Sequence, residues 1–377
     1  MSKRKILFFI ESLGGGGAEK VLSTIVRHID TQRFEVTVCV ITAGGKYDEE
    51  MASYVRIHSL LKSPKEYHGI GRVWYWIKYH LIYHWLPVWL VYKLFIPKGN
   101  DVEVAFVEGF VTKLMASSTN KQSKKIAWVH CDLKNQPWPI ALGIYSGMEE
   151  ERSAYEKYDV VVCVSKLVEN VMEQYYGLSN TKTIYNPIDE ERVLSLAKET
   201  SEWYIDTSKF NLISVGRLEK VKGYDELIAV IKDVRNEGVD AHLWLVGEGT
   251  EEEKLKNFAK QAGVEKHITF TGFLINPYSL MSKMNLFVCS SRAEGFSLVI
   301  AEAMLLGLPV ISMNCAGPRE LIGDNRNGIL CDSYEELGAE IIRKAKESDN
   351  RFPQSLPFNT ETVMFQIENL LEENSNG

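Results

Sequence analysis

Two parallel α/β halves joined end to end are the fold this sequence predicts. Three observations carry that prediction. Strand-like apolar runs alternate with helix-periodic segments along the chain, the pattern of βαβ units around a parallel sheet. The series ends at Asn186-Pro187-Ile188-Asp189 and restarts at Phe210. The loops richest in chemistry all follow strands, and open α/β sheets bind ligands beyond the carboxyl ends of their strands. At 377 residues the chain is long enough for two full cores.

In the first half, strands are expected at 5–10, 34–41, 55–60, 102–107, 125–129 and 160–164, with helices between them. In the second half they are expected at 210–215, 242–246, 268–271, 286–289 and 309–313. The expected division is a first domain over 1–186, a hinge over 187–208 that includes a polar helix, and a second domain over 209–355. A C-terminal piece, 356–377, carries a last helix over 360–372, following Pro353 and Pro357.

Hydrophobic content of 45% and charged content of 25% are ordinary for a soluble globular chain. Six scattered cysteines form no C-x-x-C pair, and most lie in or beside apolar strands. Buried free thiols in a reducing cytoplasm are therefore expected. Met1-Ser2-Lys3-Arg4-Lys5 leads straight into a strand with no secretory apolar region, which also points to the cytoplasm. The net charge of −7 is unevenly spread. Residues 1–190 hold 23 basic and 21 acidic residues, and residues 191–377 hold 20 and 29. Within 62–134 the balance is 11 basic to 5 acidic. That distribution argues against general nucleic-acid binding and allows one side to meet an anionic surface.

The first loop is Gly14-Gly15-Gly16-Gly17-Ala18-Glu19, opening a helix over 18–28. Dinucleotide oxidoreductases also carry glycines here. Against that class, four consecutive glycines are not a clean G-x-G-x-x-G. The second strand also ends Val40-Ile41-Thr42-Ala43-Gly44, without an acid to hold an adenosine ribose.

Two later segments carry more. Ser290-Ser291-Arg292-Ala293-Glu294-Gly295-Phe296-Ser297-Leu298 follows a strand and opens a helix near Ser297, with Glu302 farther along it. A helix mouth has unpaired N–H groups and suits a diphosphate. Carboxylates on either side can accept from sugar hydroxyls, so hexose, diphosphate and ribose could lie in sequence. A lone E-x7-E is more often an ordinary surface helix with a solvated first-turn Glu. Upstream, Gly216-Arg217-Leu218-Glu219-Lys220-Val221-Lys222-Gly223 puts two cations on a post-strand loop beside glycines that permit close backbone approach. Arg grips phosphate at two points and Lys acts as a point charge. No D-x-D occurs and the histidines lack metal-ligand spacing.

Together, in this order, the two segments resemble the family 4 glycosyltransferases. The resemblance spans essentially the whole chain, is strongest over 210–331, and is weaker over 62–98. It implies the GT-B fold: two Rossmann-like domains facing a central cleft, with the C-terminal helix crossing back to the first. It further implies a retaining hexosyltransferase using a nucleoside-diphosphate sugar, with no metal and no cofactor. Arg217, Lys222, Gly16, Gly17, Ser297 and Leu298 would meet the donor diphosphate. Glu294, Gly295 and Phe296 would meet the sugar; Glu302, Gly272 and Phe273 would meet the ribose and base. His130, after the strand at 125–129, would touch the transferred sugar, and with Glu294 forms the catalytic pair. Gly15, Glu108 and Asp132 are candidate acceptor contacts. The expected acceptor is a saccharide, lipid-linked through a polyprenyl diphosphate, in bacterial surface polysaccharide synthesis. Val246-Gly247-Glu248-Gly249 reads as a structural turn.

Residues 67–100 contain no acid but hold Trp74, Trp76, Trp85 and Trp89, interleaved with Arg72, Lys78, Lys93 and Lys98. Histidines, Pro87 and lysines interrupt the run, so it does not span a membrane. Aromatics with cations suit a membrane interface, here the inner face of the plasma membrane; an aromatic core helix is the other reading. Two further classes remain open. An isomerase of similar shape would turn over donor without acceptor, and a silent partner subunit would bind nucleotide-sugar or lipid without turnover.

Overall fold

A computed structural model describes residues 2–323, 328–347, 356 and 358–374. The chain forms two compact units, Met1–Pro187 with Thr360–Gly377, and Ile188–Asn359.

The first unit is built on seven strands: β1 (Arg4–Ile10), β2 (Phe34–Thr42), β3 (Arg56–Leu61), β4 (Val102–Ala105), β5 (Lys124–Val129), β6 (Val160–Cys163) and β7 (Thr181–Thr183). They pair in parallel in the order β3-β2-β1-β4-β5-β6-β7. The second unit holds β8 (Phe210–Val215), β9 (Ala241–Val246), β10 (Ile268–Gly272), β11 (Leu286–Cys289), β12 (Val310–Met313) and β13 (Ile329–Cys331). These are also parallel, in the order β10-β9-β8-β11-β12-β13. Central strands of such sheets are covered on both faces and read as unbroken apolar runs. Ile6 to Ile10 and Leu243 to Val246 are all buried on that account. In each sheet the strand order reverses once, between β1 and β4 and between β8 and β11. The crevice beyond those strand ends is where such sheets take ligands.

The last helix, Thr360–Glu372, belongs to the first unit. It buries Val363, Met364, Ile367, Leu370 and Leu371 there. Arg33 pairs with Glu368 at 2.7 Å and Glu372 at 2.5 Å, and the nearly buried Lys124 donates to the Leu370 carbonyl at 2.8 Å. Residue 355, Pro353 and Pro357, which mark the expected last boundary, lie outside the described residues.

The expected hinge differs from what forms. From Ile188 onward it is part of the second unit. Its helix, Glu190–Leu196, is capped by the Asp189 carboxylate on Arg192 N–H. Asn276 and Ser282 bond the carbonyls of Leu196 and Ala197, and Trp203 packs edge-on against Trp244 at 5.9 Å. Polar composition suggests a linker, but these side chains make it a layer of the second unit.

Candidate active site

In the second unit, the loops after β8 and β11 meet where the strand order reverses. Lys222 Nζ lies 2.5 Å from Glu294 Oε1, with both side chains largely buried. Burial alone pulls the Lys222 pKa down; the Glu294 carboxylate beside it more than reverses this, so the ammonium is held charged. The same Glu294 oxygen accepts from Ser291 Oγ at 2.7 Å. Arg217 is exposed, and no described residue bonds its guanidinium.

Several bonds lock the two loops together. Ser290 Oγ donates to the Lys222 carbonyl at 2.8 Å, and Arg292 N–H donates to the Val221 carbonyl at 2.8 Å. The Arg292 guanidinium bonds the Lys220 carbonyl and grips both oxygens of Asp225 at 2.9 Å. Gly223 has φ +64°, and a Cβ there would come 2.2 Å from the Ser290 carbonyl oxygen. Only glycine permits that conformation and approach together. Gly317 donates to the Glu294 carbonyl at 2.9 Å, and a Cβ on it would strike the Phe296 backbone at 2.8 Å. Sequence reasoning assigns no part to Ser290, Ser291, Arg292 or Gly317. The small polar pair just before the acidic loop is the available signal.

Ser297 stands at the N-cap of the helix Leu298–Leu305, yet its side chain does not cap. Its hydroxyl is buried without a partner among the described residues. That leaves the hydroxyl and the first helical N–H groups, Leu298 included, for an anion. Gly295 and Phe296 are buried in the same loop, with Phe296 against Phe358 at 5.8 Å. Glu302 is 1% exposed and accepts from the Tyr278 hydroxyl at 3.2 Å. Gly272 has φ +71° and its carbonyl accepts from Gly247 N–H at 2.9 Å, with Phe273 following. The Gly247–Gly249 turn braces the cationic loop: Leu218 N–H donates to the Glu248 carbonyl at 2.9 Å. A Cβ at Gly249 would lie 2.3 Å from the Leu218 carbonyl oxygen.

In the first unit, Gly15 (φ +110°), Gly16 and Gly17 lead into the helix Gly17–His28. His130 directly follows the strand β5. Its Nε2 donates to the Phe106 carbonyl at 2.9 Å, leaving Nδ1 as the acceptor nitrogen. Burial lowers its pKa to about 4, so the ring is neutral at physiological pH. Glu108 and Asp132, expected as acceptor contacts, each bond backbone N–H groups of the His130 loop. Glu108 is buried, and its Oε1 accepts from the N–H groups of His130 and of Cys131, the latter at 2.9 Å. Asp132, also buried, accepts from Lys134 and Asn135 N–H and from the Asn135 amide. Both carboxylates order the His130 loop, because buried acids are stable only when their oxygens are bonded.

The 67–100 segment forms the helices Ile70–His80 and Val88–Phe95 around a π-helical turn, Leu81–Trp85. Tyr83 stacks on Phe110 at 4.6 Å and donates to Glu11 at 2.9 Å, while Ile82, Val91 and Tyr92 are buried. The helix Ile70–His80 buries no residue, and Trp74, Trp76, Trp85 and Trp89 are each at least 50% exposed. These tryptophans are not core. Among the described residues, no helix is long and apolar enough to cross a membrane, and no three His, Cys, Asp or Glu side chains cluster to hold a metal.

Two Rossmann-like units of parallel strands are the GT-B architecture, and the family matches make the chain a glycosyltransferase of that fold. The chain belongs to that family: residues 15–192 match the model for Glycosyltransferase Family 4, and 197–356 that for Glycosyl transferases group 1. An uncharacterized glycosyltransferase of Haemophilus influenzae is 25% identical over 89% of this chain and 88% of its own. The Campylobacter jejuni N-acetylgalactosamine-N,N'-diacetylbacillosaminyl-diphospho-undecaprenol 4-alpha-N-acetylgalactosaminyltransferase is 27% identical over 88% and 87%. Among solved structures, Anabaena HepE with UDP and glucose superposes with a TM-score of 0.72 at 21% identity, covering 98% of this chain and 99% of its own.

Proposed function

We propose that this glycosyltransferase moves a hexose or N-acetylhexosamine, with retention, from a nucleoside-diphosphate sugar to a lipid-linked saccharide in bacterial surface polysaccharide synthesis. The observation that carries this reading is the buried Lys222–Glu294 pair at the β8/β11 switch point. Lys222 and Arg217 supply positive charge for a diphosphate, and Ser297 with the helix mouth supplies donors. Glu294 supplies an acceptor for sugar hydroxyls, Glu302 one for the ribose, and the turn at Gly272 and Phe273 the seat of the base. UDP is the favoured nucleotide because HepE was solved with it. The lipid-linked acceptor is favoured because the Campylobacter relative's name specifies a diphospho-undecaprenol saccharide. That name also states an alpha linkage, the outcome of retention from an alpha-linked donor.

In this reading the bond from the anomeric carbon to the diphosphate oxygen breaks first. The acceptor oxygen bonds the same face, and the leaving phosphate takes its proton. Preorganised cations stabilise the departing charge, which makes a metal unnecessary. Neutral His130, with Nδ1 open, accepts from the transferred sugar, and the glycines 15–17 let backbone approach it. Incubation with UDP-, GDP- and ADP-sugars under excess chelator tests the whole reading. Slow hydrolysis of one donor is expected. Activity that stops under chelator and returns with magnesium would refute metal independence, and no turnover or binding of any donor would refute the function.

The protein acts at the inner face of the plasma membrane in this proposal, docked through the exposed tryptophans and Arg72, Lys78 and Lys93. Each cation adds roughly 1 kcal/mol near an anionic surface. Trp85→Ser with Trp89→Ser should reduce sedimentation with phosphatidylglycerol-containing liposomes and leave donor hydrolysis intact. Wild-type protein that ignores such liposomes would point to a soluble acceptor.

A further inference from the structure

We propose that Ser291 is a positioning residue that aims Glu294 at the sugar. Glu294 Oε1 takes both available donors, Ser291 Oγ at 2.7 Å and Lys222 Nζ at 2.5 Å. No described residue bonds Oε2, so one oxygen is anchored and the other is left for a ligand. Two of the three Lys222 N–H donors are likewise unspent on Glu294. When a diphosphate draws on Lys222, the serine still holds the carboxylate in place.

The surroundings fix the direction of that bond. Ser291 is 3% exposed, so water does not compete for its hydroxyl. The Cys289 thiol donates to Ser291 Oγ at 3.6 Å, which leaves the serine proton for Glu294. Burial raises the Cys289 pKa and keeps the sulfur a thiol, able to donate. The neighbours on either side of Ser291 are tied to the loop after β8, Ser290 through the Lys222 carbonyl and Arg292 through the Val221 carbonyl. The serine backbone is therefore held, and its side chain turns only the carboxylate.

The role of Ser291 rests on the donor-sugar role proposed for Glu294, and the test separates the two. Ser291→Thr keeps the hydroxyl and Ser291→Val removes it at nearly equal shape. The Val variant should lose about tenfold in kcat/KM for the donor, and the Thr variant should stay within about threefold of wild type. Calorimetry adds a readout independent of turnover. Wild type should bind UDP-sugar more tightly than UDP, and Ser291→Val should lose that difference while UDP affinity stays within about twofold. Equal behaviour of Val and Thr would overturn the role of the serine alone. A parallel loss of UDP affinity would also overturn it, since the serine would then merely support the loop. Wild type that binds neither ligand would sink the function and the serine's role with it. If both branched residues prevent folding, Ser291→Ala reads the same quantities.

Discussion

The two sheets place loops at the same topological point and furnish them oppositely. Beyond β8 and β11 stand a largely buried cation, a carboxylate and a serine hydroxyl without a partner among the described residues, with bonds locking the loops together. Beyond β1 and β4 stand glycines and Glu108, whose charge faces inward onto backbone amides. Burial raises the Glu108 pKa, with those amides opposing, and the adjoining His130 is neutral. The same strand order through the reversal therefore carries a cation–carboxylate pair in one unit and glycines with inward-bonded acids in the other. The difference lies in side chains a few residues past each strand, which is where function separates from fold.

The sharpest way to break this contrast is to remove charge at each point. Lys222→Ala should slow turnover by roughly a hundredfold or more, since it takes away preorganised charge and leaves Glu294 buried without its partner. His130→Ala should cost less, because it deletes a neutral contact. Steady-state kinetics of donor hydrolysis checks both, and equal losses would erase the distinction. Arg217→Ala should cost about tenfold, being an exposed cation partly screened by solvent. A near-wild-type Arg217 variant would confine the phosphate grip to Lys222 and the helix mouth.

The pair itself makes a smaller, pH-dependent prediction. Burial pushes the Lys222 pKa down, and the Glu294 charge is the largest influence that reverses it, with Tyr224 and Cys289 adding to it. Glu294→Gln keeps the shape and removes that charge, so Lys222 should lose its proton at lower pH. Nucleoside-diphosphate affinity should then weaken several-fold between about pH 7 and about pH 10 in the variant and stay flat in wild type. A flat profile in both would mean that another group holds the lysine charged.

Much of the fold and part of the site are legible in the residues alone. Long apolar runs announce the central strands, because burial on both faces forces that composition. Thr181–Thr183 escapes notice, being a polar three-residue edge strand, and Ile329–Cys331 is too short to stand out. Arg217, Lys222 and Glu294 are legible as charged residues on post-strand loops beside glycines. The partnership of Lys222 with Glu294 is not, since residues 72 positions apart declare no contact. The backbone bonds of Glu108 and Asp132 are hidden for a related reason: the sequence shows an acid after a strand but not the amides around it. The hinge misleads because polarity cannot distinguish a linker from a helix packed by two or three specific bonds.

The smallest expected effect compares the two units through two half-buried histidines. Burial lowers the pKa of His130 from 6.5 to about 4. In the second unit, burial and neighbouring cations do the same to His242, whose Nε2 meets Thr269 Oγ1 at 2.8 Å. The sign follows from which state takes the proton first. Below pH 6.5 the unfolded chain binds protons that the folded rings refuse until about pH 4. Stability is therefore full above the unfolded value and declines as pH falls through that window. His130→Asn should flatten part of this decline and His242→Asn another part, with little change in the melting temperature near neutral pH. Scanning calorimetry between those two pH values checks it. If one substitution removes the whole slope, the other ring already carries its proton in the folded chain, and His130 would no longer stand as the neutral counterpart to Lys222.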